Sequence, residues 1–102
     1  MEQPVNAPTV YHVLFHSPGE KWVESLPFQQ QPGVMAHVSY TAAFLENNKL
    51  VEGGPFLDHS GGMMVFSGSK EEAEEIANAD PAVKNGLLKV IVRPWLVAMS
   101  TK

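Results

Sequence analysis

Four histidines, one arginine and no cysteine bound the chemistry open to this chain. Without cysteine there is no disulfide framework, no thiolate metal centre and no thiol nucleophile. Imidazole is left as the side chain that exchanges protons near neutral pH. His12 and His16 lie four apart in a segment rich in β-branched and aromatic residues. At ~3.3 Å per residue a strand holds them about 13 Å apart, too far to share a metal ion. They read either as packed core histidines or as residues lining a cleft. His59, between Asp58 and Ser60, resembles a triad by composition only, because neighbours on a turn do not point at one another; a solvated hairpin tip is the simpler reading. His37 is placed differently. On a helical wheel Val34, Val38, Thr41, Ala42 and Leu45 share one arc, and Ala36, Ser39, Ala43, Glu46 and Asn47 lie opposite. His37 falls beside Phe44 at the border, where a side chain meets core and water together. Arg93 is either an anion clamp, able to hold a substrate carboxylate in a bidentate contact, or a surface charge at a strand end.

The elements that must position these residues follow the chain. Met1 to Thr9, with two prolines and few large apolar groups, reads as a loose arm. Val10 to His16 is a first strand, apolar on both faces and ended by Ser17-Pro18-Gly19. Pro18 to Pro32 is a long connection; Trp22 and Phe28 either pin it to the surface or make it a lid. The His37 helix opens after Gly33 and stops at Asn47-Asn48-Lys49, since asparagine tolerates the left-handed conformation of a helix end. Leu50 to Pro55 is a short strand. Phe56 to Gly62 loops into a return strand, Met63 to Phe66, again apolar on both faces. Ser69 followed by Glu72 is a capping box that starts a second helix over Lys70 to Asn78. Asp80-Pro81 breaks it and opens a short turn to Asn85. Leu87 to Arg93 is the last strand, extended to Val97, and Pro94 places it at an edge or strand end.

Composition excludes several classes. At 102 residues, 44 % apolar and 18 % charged, the chain is one globular domain. Seven basic against eleven acidic side chains, a net charge of -4, supply no positive field for nucleic acid or anionic lipid. The N-terminal residues lack a basic segment followed by an apolar core, and no apolar run spans a membrane, so a cytoplasmic protein is expected. Gly53-Gly54-Pro55 is not a phosphate loop, because no helix N-terminus follows; it reads as a close backbone approach at a cleft floor. Met63 and Met64 suit core packing or a pocket for a flat apolar ligand.

The order strand, helix, strand, strand, helix, strand predicts a ferredoxin-like α+β fold, a four-stranded antiparallel sheet with both helices on one face. The opposite face is left apolar and uncovered, so a homodimer through the sheet faces is expected.

In this order the residues resemble the YCII-related family of small dimeric α+β barrel proteins, from Val10 to Trp95. The resemblance rests on His37, the Leu50 strand ending in Gly54-Pro55, Gly62, Glu72-Ala73, Asp80-Pro81, Gly86-Leu87 and Arg93-Pro94-Trp95. It implies a cleft holding a His-Asp pair, here His37 and Asp80. The chain departs from the family pattern where Gln29 to Val34 lacks an arginine, and where Asn47-Asn48 replaces a glycine. Some relatives resemble dehydrochlorinases or muconolactone-isomerase-type enzymes. A carboxylate beside one ring nitrogen would set the tautomer and free the other nitrogen for proton transfer; otherwise Asp80 caps its turn and His37 bonds to backbone.

Two function classes follow. One is a cofactor-free, metal-free lyase or isomerase on a small unsaturated or aromatic acid, with His37 as acid or base, Asp80 orienting it, Arg93 as anion clamp, and Gly54, Pro55 and Met63 contacting the substrate. The other is a dimeric small-ligand-binding or accessory protein that does no chemistry. A haem-degrading monooxygenase is disfavoured because Lys70 to Asn78 has neither histidine nor tryptophan.

Overall fold

The structure, a computed structural model, describes residues 9–101. The arm expected over 1–9 lies outside the described residues except for Thr9, which already belongs to the first strand, β1 (Thr9–Pro18). The remaining elements are α1 (Val34–Ala42), β2 (Leu50–Pro55), β3 (Gly62–Phe66), α2 (Lys70–Ala79), the short α3 (Pro81–Lys84) and β4 (Leu88–Val97). The sheet is antiparallel in the order β2-β3-β1-β4, the ferredoxin-like βαββαβ arrangement. Among the described residues no helix is long and apolar enough to cross a membrane.

β1 runs past Ser17-Pro18, the break expected from sequence. Its pairing with β3 stops at His16, opposite Gly62, while its pairing with β4 continues to Pro18 opposite Leu88. Beyond β3 one side of β1 is free, so a residue without an N–H is tolerated there. Pro94 sits on β4, an edge strand, as its missing donor requires.

Register settles the faces. Leu14 pairs with Met64 and Val92, and His16 with Val90; these side chains face the helices. One core cluster joins Leu14 and Phe66 to Ala73 and Ala77 of α2; the small α2 residues let that helix lie close on the sheet. The other joins Phe28, Val34, Ala82, Leu87 and Leu88, with Trp22 packed against it. The 18–32 connection is therefore pinned, and the Gln31 side chain adds to this: it accepts from Val23 N–H and donates to the Val23 and Leu26 carbonyls.

Local signals act as their chemistry dictates at both helix boundaries. The Ser69 hydroxyl accepts from Glu72 N–H while the Glu72 carboxylate accepts from Ser69 N–H, both at 3.1 Å, closing the capping box of α2. Asn48 adopts φ 64° after α1, the left-handed step that ends it. The helix itself is shorter than expected: regular α geometry ends at Ala42, and Ala43–Leu45 tighten into a 3-10 turn.

Candidate functional site

His37 is buried, 3 % exposed, rather than at the border its wheel position suggested. The buried stripe of α1 is Val34, His37 and Thr41. Val38, 39 % exposed, and Leu45, 51 % exposed, face instead an open cavity, together with Ala42. The wheel reads an apolar arc as core, but here part of the arc lines an indentation, so the helix is turned and the histidine moves inward. The sequence period cannot separate those two uses of an apolar side chain.

The inward turn brings His37 to Asp80. His37 Nδ1 lies 2.5 Å from Asp80 Oδ2, and Asp80 is 1 % exposed. Asp80 also caps α3, its Oδ1 accepting from Ala82 N–H at 2.9 Å. The capping role and the histidine contact, alternatives in sequence, are held by separate oxygens of one carboxylate. The Asp80-Pro81 break makes this possible: the chain leaves α2 extended at Asp80 and re-enters a helix at Pro81, so the carboxylate lies at the junction facing α1.

Sequence reasoning missed a third member. His16 is 2 % exposed, its ring meets that of His37 edge-on at 4.9 Å between centroids, and its Nε2 is 3.8 Å from Asp80 Oδ2. That Nε2 is buried without a hydrogen-bond partner among the described residues. Burial, with the nearby His37, pushes the His16 imidazole down to about 4 despite the opposing pull of Asp80, so it is neutral at pH 7. His12, its neighbour on β1, is instead satisfied, its Nδ1 paired with the Gly68 carbonyl at 3.1 Å. Period two on β1 could have placed His16 beside Leu14 on the helix-facing side, but not opposite His37. Near the pair, the Tyr40 hydroxyl donates to the Ile76 carbonyl, and burial together with Asp80 raises its pKa.

The cavity measures about 260 Å³ and its walls are mainly apolar. His16, His37 and Thr41 stand on it, and Gly54, Pro55 and Met63 line it across from α1. Asp80 is not among its lining residues. It stands behind His37, which leaves the second ring nitrogen, Nε2, as the one not engaged by the carboxylate. Two structural devices shape the wall. Glu52 pairs with Val65 and Leu50 with Phe66, so β2 carries one extra residue, a bulge beside the cavity. Gly61, at φ +122°, brings the hairpin so near β1 that a Cβ there would stand 2.0 Å from the His16 carbonyl oxygen.

Arg93 is not brought to this cavity. It pairs with Val13, whose side chain points to the other sheet face, and it lines a separate depression with Phe15, Met63, Pro94 and Trp95. A one-residue offset from Val92 is enough to put it there, because side chains alternate across a strand. His59 sits at the hairpin tip with φ 64°, and Asp58 accepts from the Ser60 N–H and hydroxyl beside it, which lowers the Asp58 carboxyl pKa; this is a turn, not a triad.

The model of the YCII-related domain family matches residues 11–96. The chain belongs to that family. An uncharacterised protein of Bacillus subtilis (strain 168), YjpA, is 35 % identical over 66 residues, which span 64 % of this chain and 78 % of the relative. No solved structure shows significant similarity.

Proposed function

For this member of the YCII-related family we propose a cofactor-free lyase or isomerase acting on a small unsaturated or aromatic compound. One observation carries the reading: a buried carboxylate holds Nδ1 of a histidine that itself lines a cavity of ligand size. Asp80 fixes the ring and its tautomer, with the proton on Nδ1, and the free Nε2 takes a proton from a substrate carbon. In elimination the C–H electron pair forms the new double bond and the leaving group departs with its own pair. In isomerisation the imidazolium returns the proton to a different carbon. Asp80, itself buried, offsets the charge that develops on the ring. Gly54, Pro55 and Met63 form the substrate wall. The apolar lining also suits a second reading, a ligand-binding protein that does no chemistry, in which the pair serves only to hold the fold.

The two readings separate in one experiment. Small unsaturated, aromatic and halogenated ring compounds are screened by thermal shift, and binders are followed for product by NMR, with His37→Ala in parallel. The enzyme reading requires product formation that His37→Ala abolishes. Binding without product, equal in both proteins, overturns it.

The reading includes a homodimer through the open sheet face, where Ile91, 63 % exposed, and Trp95, 45 % exposed, present apolar surface. Sedimentation at micromolar concentration giving only monomer would remove this part.

A further inference from the structure

We propose that His16, His37 and Asp80 bind one divalent first-row transition-metal ion. One donor atom from each of the three residues lies within 4.8 Å of the others, and all three side chains are buried. Two imidazoles and one carboxylate are the mixed nitrogen and oxygen set found in zinc sites that keep a coordination position free for water or substrate. The inference goes beyond the proton-transfer reading and does not depend on it.

Three further observations converge on the same point. The first is the orphan: His16 Nε2 is enclosed, has no hydrogen-bond partner among the described residues, and stands 3.8 Å from Asp80 Oδ2. A buried nitrogen without a partner costs free energy that a bound cation recovers by taking its lone pair. The second is geometry. Ligand atoms around a tetrahedral zinc ion, each about 2.0–2.1 Å from the metal, lie roughly 3.3 Å apart. The observed separations from Asp80 Oδ2, 2.5 Å to His37 Nδ1 and 3.8 Å to His16 Nε2, bracket that spacing. Those two separations each have to change by less than 1 Å, and the donor atoms of the whole set, which lie within 4.8 Å of one another, close by up to about 1.5 Å through rotation of the two rings. The third is support from behind. Asp80 Oδ1 is anchored by Ala82 N–H at the N-cap of α3, which fixes the carboxylate as outer-sphere hydrogen bonds do in metal sites. His16 and His37 both line the cavity, so the ion would sit just behind its wall.

An ion here takes the place of the proton between His37 and Asp80. Metal-loaded protein and proton-transferring protein are therefore two exclusive states of one site. The sequence spacing of His12 and His16 is silent about this set, because its members come from β1, α1 and the α2–α3 junction.

The test uses tag-free full-length protein stripped with chelator and titrated with Zn²⁺ by calorimetry, and with Co²⁺ by visible absorption. The expected result is one ion per chain and the intense visible bands of four-coordinate Co²⁺. His16→Gln weakens binding at least tenfold, while His12→Gln and His59→Gln bind as the parent does. Because a substitution in the core can compromise folding, the parent protein is also read directly. Zn²⁺ should shift the imidazole resonances of His16 and His37 and leave those of His12 and His59 in place. No binding at micromolar Zn²⁺, unchanged binding by folded His16→Gln, or shifts confined to His12 and His59 overturns the proposal. The turnover screen on chelated protein judges the proton-transfer reading separately.

Discussion

His37 Nδ1 and Asp80 Oδ2 meet at 2.5 Å across forty-three positions of sequence, while the other oxygen of the same carboxylate caps α3. Asparagine at position 80 can keep an oxygen on Ala82 N–H but turns an amide N–H toward the ring, which forces the opposite tautomer. Asp80→Asn should therefore lose proton transfer by about 10²–10⁴-fold with a modest change in stability. Asp80→Ala should lose the cap, about 1 kcal/mol, and leave His37 unpaired, a further cost of roughly 1–3 kcal/mol. Urea denaturation of both variants checks this; equal destabilisation would mean that the two oxygens do not act separately.

His16 makes the metal-free protein acid-sensitive. Its folded-state pKa, about 4, lies below the ordinary 6.5, so between those values the unfolded chain binds a proton that the folded one refuses. Stability then falls as pH drops from 6.5 toward 4, by about 3 kcal/mol in all for a 2.5-unit difference. Denaturation of chelator-treated protein across this window should show the slope, and His16→Gln should flatten it. An equal slope in the variant would assign the acid sensitivity to other groups.

Two glycines beside the cavity should respond in opposite ways. A Cβ at Gly54 meets nothing within 4 Å among the described residues, whereas one at Gly61 meets the His16 carbonyl and a positive φ. Gly54→Val should fold as stably as the parent and bind cavity ligands more weakly. Gly61→Ala should destabilise by several kcal/mol, on the order of a strained backbone position plus a displaced strand. Thermal melts with and without ligand read both effects.

Glu72 links the capping box to Lys49, whose ammonium lies 3.0 Å away. The Ser69 N–H and then Lys49 hold its carboxyl below the usual value of 4.5. Its contribution is complete above that value and disappears as pH falls through the depressed one. Ser69→Ala should cost about 1 kcal/mol at neutral pH. Glu72→Gln keeps the box geometry and should weaken the acid dependence of stability; a variant with the parent's acid limb would refute the linkage.

Local physics made most of the fold legible. Proline at an edge strand, the Ser69–Glu72 box, the left-handed Asn48 and the two-residue alternation in β1 and β4 each act over a few residues, where sterics and hydrogen bonding leave little choice. The rotation of α1 was less legible: an apolar arc signals removal from bulk water, and both a core and a cavity wall supply that. Residue identity and spacing thus determined the elements and their order, while the pairing of His37 with Asp80 was implied by the family resemblance. Tertiary structure alone decided that His37 points inward, that Arg93 lies across the sheet from it, and that His16 completes the buried group. These depend on how α1 is turned against the sheet, and that is set by packing among side chains distant in sequence, which no local period records.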